Sequence, residues 1–133
     1  ADSMEKTGII QMIGNTIQSY HFSTVVLLFV LVTIMVFITE LMSNVALVTI
    51  FLPVVAGIAA GSDVNILLLA IPVTLSASAA FMLPMGTPPN AIVFASGHIT
   101  MPQMARTGMA LNIATVIIIG GMGYVLVKWV FGV

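Results

Sequence analysis

Two polar interruptions break an otherwise apolar sequence: Thr39-Glu40-Leu41-Met42-Ser43-Asn44-Val45 and Pro84-Met85-Gly86-Thr87-Pro88-Pro89-Asn90. They offer hydroxyls, amides, carbonyl oxygens and one acid. Such groups hold ions: oxygen suits a hard cation, and the free N–H groups of a helix start suit an anion. If Ser43-Asn44 is a hairpin tip, the arm beginning at Val45 or Ala46 turns its amides there, and the arm ending near Leu41 turns its carbonyls there. One end then attracts anions and the other cations. At the second interruption Gly86 and Thr87 can expose carbonyls, and a helix resuming at Asn90 offers amides. An enzyme is not expected. Glu40, Asp63 and His98 have no spacing that builds a nucleophile or metal constellation, and the chain has no cysteine. His21 and His98 each lack a second ligand nearby in sequence.

The elements that carry these breaks are of membrane length. Of 133 residues, 60% are hydrophobic and 5% charged, against about 45–50% and about 25% in a soluble domain. So few charges cannot cover the outside of a water-soluble particle, and lipid is the expected solvent. A formal net charge of −1 leaves no basic face for nucleic acid. Charges at Glu40, Asp63, Arg106 and Lys128 bound uncharged stretches at 7–39, 41–62, 64–105 and 107–127. Residues 1–21 mix Met4, Ile9, Ile10, Ile13 and Ile17 with Glu5, Lys6, Gln11 and Asn15 at helical spacing, which predicts an amphipathic interfacial helix; a spanning or surface helix is the alternative.

Residues 22–41 would make about 30 Å of helix, one hydrocarbon thickness. The return over 46–60 is shorter, carries Pro53 and ends in Gly57, Gly61 and Asp63. A third segment, 63–101, is expected to be broken at 84–90, because three prolines and a glycine there cannot continue a helix. Pro102 suits the first turn of a last helix, within 102–133. Lipid cannot satisfy freed backbone groups, so unwound chain at membrane depth is stable only in protein or beside a wet cavity. Paired broken segments are therefore a pointer to a secondary-transporter site. The plain alternatives are a solvent-exposed turn at Ser43-Asn44 and a Pro-rich loop outside the bilayer. Arg106 and Lys128 cancel as an orientation signal.

The stretch Pro72-Val73-Thr74-Leu75-Ser76-Ala77-Ser78-Ala79-Ala80-Phe81-Met82-Leu83-Pro84, followed by Gly86-Thr87-Pro88-Pro89-Asn90-Ala91-Ile92-Val93-Phe94, resembles the C-terminal signature of the divalent anion/sodium symporter family, the dicarboxylate and citrate carriers. Ser43-Asn44-Val45 resembles that family's Ser-Asn-Thr hairpin tip. The resemblance implies an all-α polytopic membrane protein with inverted repeats. In it this piece is most of the second half: an arm helix at 1–21, a re-entrant hairpin at 22–62 with its tip at 43–45, a transmembrane helix broken at 84–90, and a last transmembrane helix. The first repeat and the rest of the transporter are then partners, with membrane lipid and a second copy in a homodimer. The transport domain is expected to move like an elevator, and the location implied is the bacterial cytoplasmic membrane.

Carried over by position, the resemblance places Ser43, Asn44, Val45, Thr87 and Pro88 around a di- or tricarboxylate. Thr39, Met42, Asn44 and Gly86 would supply oxygen, largely backbone carbonyls, to a co-transported Na+. Val45 departs from the family's threonine and removes a hydroxyl that could hold a carboxylate. The function expected is therefore part of a sodium-coupled carboxylate carrier; the alternative is a structural membrane subunit or a passive anion pore.

Glu40 lies in a long apolar stretch, where an acid is by default functional: it could orient the tip or repel a wrong anion, or face solvent at a loop. Asp63 is expected to cap the following helix, with Asn65 nearby. Gly57 with Gly61, and Ser76 with Ala80, have the spacing of close helix contacts. Gly120, Gly121 and Gly123 narrow the last helix, and Trp129 with Phe131 reads as an interfacial anchor.

Overall fold

The computed structural model describes residues 23–132, which contain helices and no strand. The arm helix expected at 1–21 lies outside the described residues, as does His21. Five helices follow in order: α1 (Thr24–Ile38), α2 (Asn44–Gly61), α3 (Ile66–Ser76), α4 (Pro88–Ala95) and α5 (Met101–Phe131). Of these, α2 and α5 are long and apolar enough to cross a membrane.

The starts of α2, α3 and α5 and the end of α5 have local causes. The start of α2 is capped by Ser43, whose Oγ accepts from Ala46 N at 3.3 Å. Asn65 caps α3, accepting from Leu67 N at 2.9 Å. Asp63 is not the cap: it takes the left-handed turn before it, at φ 56°, a conformation that short polar side chains tolerate. Thr100 and Gln103 start α5, with Gln103 Oε1 accepting from both Thr100 N and Thr100 Oγ1 at 2.9 Å, and Pro102 sits in the first turn, where a missing N–H costs nothing. Gly132 ends α5 in the left-handed conformation, φ 67°.

The core gathers around α3, which packs against α1, α2 and α5, while α1 also packs on α5. The two arms of the 22–62 segment make little direct contact; they meet through α3. Leu28, Val32, Met35 and Val36 of α1, Leu47 and Val55 of α2, and Leu69 and Val73 of α3 form the buried centre. Many outward side chains are large and apolar, among them Val30, Ile34, Ile117, Met122 and Val125. That surface suits lipid or further apolar protein.

Glycines set how closely α5 can approach. A Cβ built at Gly120 would come within 2.7 Å of the Phe29 ring, and one at Gly123 within 3.0 Å of Pro72. Gly121 faces open space. Two of the three glycines therefore make the close packing that substitutes, in lipid, for a hydrophobic driving force. The small pair Ser76 and Ala80 does not share a helix face, because α3 ends at Ser76.

Candidate functional site

The helix that was expected to break at 84–90 gives way earlier. It stops at Ser76 and resumes at Pro88, leaving residues 77–87 unwound. Proline chemistry accounts for the end of this gap and a carboxylate for its middle. Glu40 is only 4% exposed. Its Oε1 accepts from Phe81 N at 2.8 Å, Met82 N at 2.9 Å and Asn112 Nδ2 at 2.8 Å, and its Oε2 accepts from Leu83 N at 3.0 Å. Three successive amides thus converge on one side chain, as in an anion-holding backbone nest. Glu40 is neither solvent-facing nor aimed at a cargo; it supplies the acceptors that the missing helical turn would have supplied.

Two more side chains tie the gap down. Asn90 Nδ2 donates to Ala80 O at 2.9 Å and to Leu83 O at 3.1 Å. Thr39 Oγ1, fully buried, contacts Ala77 O and, at 2.9 Å, Asn44 Oδ1. The first interruption therefore grips the second at both Thr39 and Glu40.

Above this buried layer the two interruptions face each other across one open cleft of about 550 Å³. Met42, Ser43, Asn44 and Val45 line one side and Gly86, Thr87 and Pro88 the other. Thr39 lies beneath, joined to the cleft through Asn44. Among the described residues, none that lines the cleft carries a charge. Its polar equipment is backbone, hydroxyl and amide.

The two sides differ in which backbone groups are free. Among the described residues, the carbonyl oxygens of Thr39, Met42 and Gly86 accept no hydrogen bond, whereas Ala77, Ala80 and Leu83 carbonyls are taken. At the start of α2, Asn44 N and Val45 N donate to nothing described, since Ser43 serves only Ala46 N and Leu47 N. The start of α4 is poorer in donors than the sequence suggests. Pro88 and Pro89 have no N–H, and Asn90 N already points to Thr87 Oγ1 at 3.5 Å. The helix start with free amides is therefore that of α2. Gly86 has a steric reason to be glycine: a Cβ there would lie 2.9 Å from Ala80 Cβ and 3.1 Å from Glu40 Oε2.

The sequence that forms these two breaks is similar to known ones. The family model of the sodium:sulfate symporter transmembrane region matches residues 1–133. The chain belongs to that family. It is 35% identical over 134 residues to a sodium-dependent dicarboxylate transporter of Staphylococcus saprophyticus, a match that covers all of this chain and 26% of the relative. It is 41% identical over 120 residues to the human Na(+)/dicarboxylate cotransporter 3, covering 90% of this chain and 20% of that protein. Against the rat Na(+)/citrate cotransporter it is 55% identical over 75 residues, covering 56% of this chain and 13% of the relative. The chain spans about a quarter or less of the length of these relatives. As a stretch of a symporter family it is an integral membrane protein, and a symporter moves solutes without making or breaking bonds.

Sequence reasoning missed Asn112 altogether and left the role of Glu40 open. Asn112 had a signal: it is the lone amide side chain between Gly108 and Val133. Nothing in its spacing ties it to Glu40, 72 residues away.

Proposed function

We propose that this chain is part of a sodium-coupled secondary transporter for di- or tricarboxylates and supplies half of the anion site together with one sodium site. The observation that carries the reading is the uncharged cleft. A dianion brought into a site without lysine or arginine needs a counter-charge, and a group of free carbonyls beside it can hold one as Na+. Thr39, Met42 and Gly86 provide carbonyl oxygens, and Asn44 provides its side chain. The single Thr39 hydroxyl proton can serve Ala77 O or Asn44, not both; turning the Asn44 amide over lets its Nδ2 donate to Thr39 and leaves Oδ1 for the cation.

On the anion side, Ser43, Asn44 and Val45 offer the free amides of the α2 start, and Thr87 offers a hydroxyl beside Pro88. Val45 is 78% exposed and lines the cleft with methyl groups. It removes one hydroxyl contact from this half of the site and favours a cargo held chiefly by the other half. Sodium bound first would fix the hairpin tip against Gly86, so that the amides are in place when substrate arrives.

In this reading 1–21 is the interfacial arm, 22–62 a re-entrant hairpin with its tip at 43–45, 63–101 the broken transmembrane helix and 102–133 the last one. The remaining transporter, including a first inverted repeat, completes the site; two protomers pair, and the transport domain shifts like an elevator in a bacterial cytoplasmic membrane. The relatives, a sodium-dependent dicarboxylate transporter and a Na(+)/citrate cotransporter, support the class of cargo. Uptake of labelled succinate and citrate by the full-length transporter in liposomes is the test. Accumulation that requires a sodium gradient is expected; uptake unchanged in potassium overturns the coupling.

A further inference from the structure

Asn112 sits in the first half of the 31-residue α5 and is fully buried. Its Nδ2 donates to Glu40 Oε1 at 2.8 Å, but its Oδ1 has no partner among the described residues. A buried amide that satisfies only one of its two ends is less favourable than a leucine of similar size. What this asparagine contributes is therefore the single donated bond. It is aimed at the side chain that touches both helix breaks, because Glu40 belongs to the Thr39–Met42 turn and its Oε2 lies 3.1 Å from where a Gly86 Cβ would be. One turn earlier, on the same face of α5, Gly108 admits the unwound chain itself: a Cβ there would lie 2.3 Å from Phe81 O and 2.5 Å from Met82 Cα. Two successive turns of α5 thus register against the unwound segment, Gly108 directly and Asn112 through Glu40.

We propose that Asn112 is a positioning residue for cation binding: by holding Glu40 from the α5 side it fixes the 81–83 amides and the height of the Gly86 carbonyl against the hairpin tip. The proposal rests on the sodium reading above. Asn112 touches neither ion nor cargo, and α5 becomes the element against which the two breaks are aligned.

The test is the sodium-induced rise in Tm of the purified full-length transporter, read without substrate at one pH. Asn112→Leu keeps the volume and removes the donor. The sodium concentration giving half the Tm shift should rise about tenfold, the effect of one lost hydrogen bond to a charged group. Asn112→Ala removes the same donor without adding apolar bulk, and its sodium midpoint should rise by the same factor; a loss of packing alone would lower the basal Tm and leave the midpoint where it was.

A leucine or alanine variant that loses only basal Tm, with its sodium midpoint unmoved, overturns the proposal. If Asn112→Leu does not fold, the alanine variant decides alone. An unmodified transporter that ignores sodium overturns the underlying functional reading instead, so the two failures are distinct.

Discussion

Glu40 has every contact in the structure on its acceptor side: Oε1 takes Phe81 N, Met82 N and Asn112 Nδ2, and Oε2 takes Leu83 N. Glu40→Gln replaces one oxygen with a donor, so in either orientation at least one N–H faces another N–H. A loss of about 1–3 kcal/mol is expected from one buried group left unpaired, measured as a lower midpoint in thermal or denaturant unfolding of the full-length protein. A glutamine variant as stable as the original would mean that the three amides find other partners. Two cleft residues separate differently. Asn44 adjoins the free Thr39 and Met42 carbonyls and the α2 amides, whereas Thr87 offers only its hydroxyl and backbone. Asn44→Ala is expected to raise both the sodium requirement and the substrate KM; Thr87→Ala should raise the KM chiefly. Uptake kinetics at varied sodium tell these apart, and a Thr87 variant whose sodium requirement moves as far as its KM contradicts the division.

At the scale of elements, the breaks were legible and their mechanism was not. Prolines at 84, 88 and 89 announce that a helix cannot pass, and Ser43 and Asn65 act as the caps that such residues commonly are. Nothing local announces that α3 ends as early as Ser76, because Ala77, Ser78, Ala79 and Ala80 all tolerate a helix. The competing partner, Glu40, lies 41 residues upstream of Phe81, beyond what periodicity or capping rules can see. The same holds for α5, whose apolar length is visible at a glance while its Gly108 and Asn112 acquire meaning only when Phe81 is laid against them. Two glycines of this helix make the element-scale test. Gly108→Ala drives a methyl group into the Phe81 carbonyl and should destabilise by about 1–3 kcal/mol through overpacking. Gly121→Ala meets nothing within 4 Å and should be neutral or stabilise by up to about 1 kcal/mol, alanine being the better helix former. Unfolding midpoints of the two variants, compared side by side, check both signs.

For the molecule as a whole, what matters is that the cleft is open and, in the proposed reading, one wall of a larger site. It has about 550 Å³, no charge and a floor of interlocked breaks, while α4 buries none of its residues among the described ones. Such a wall could border a continuously open anion path or an alternating-access site completed by another half, and the two make opposite demands on solute movement. A pore lets each ion pass independently, so labelled citrate or succinate outside liposomes can never rise inside above its electrochemical equilibrium. A carrier returns loaded, so liposomes preloaded with unlabelled substrate should accumulate external label transiently against its gradient as the internal pool exchanges outward. The facing breaks favour the second outcome. In the proposed reading, carbonyls and amides close around Na+ and a carboxylate only when both are present, and a site that opens to one side at a time lets internal substrate ride outward as external label rides inward. Counterflow in the full-length transporter, abolished when potassium replaces sodium on both sides, is the expected result; label that only equilibrates, whatever the preload, would assign the cleft to a pore.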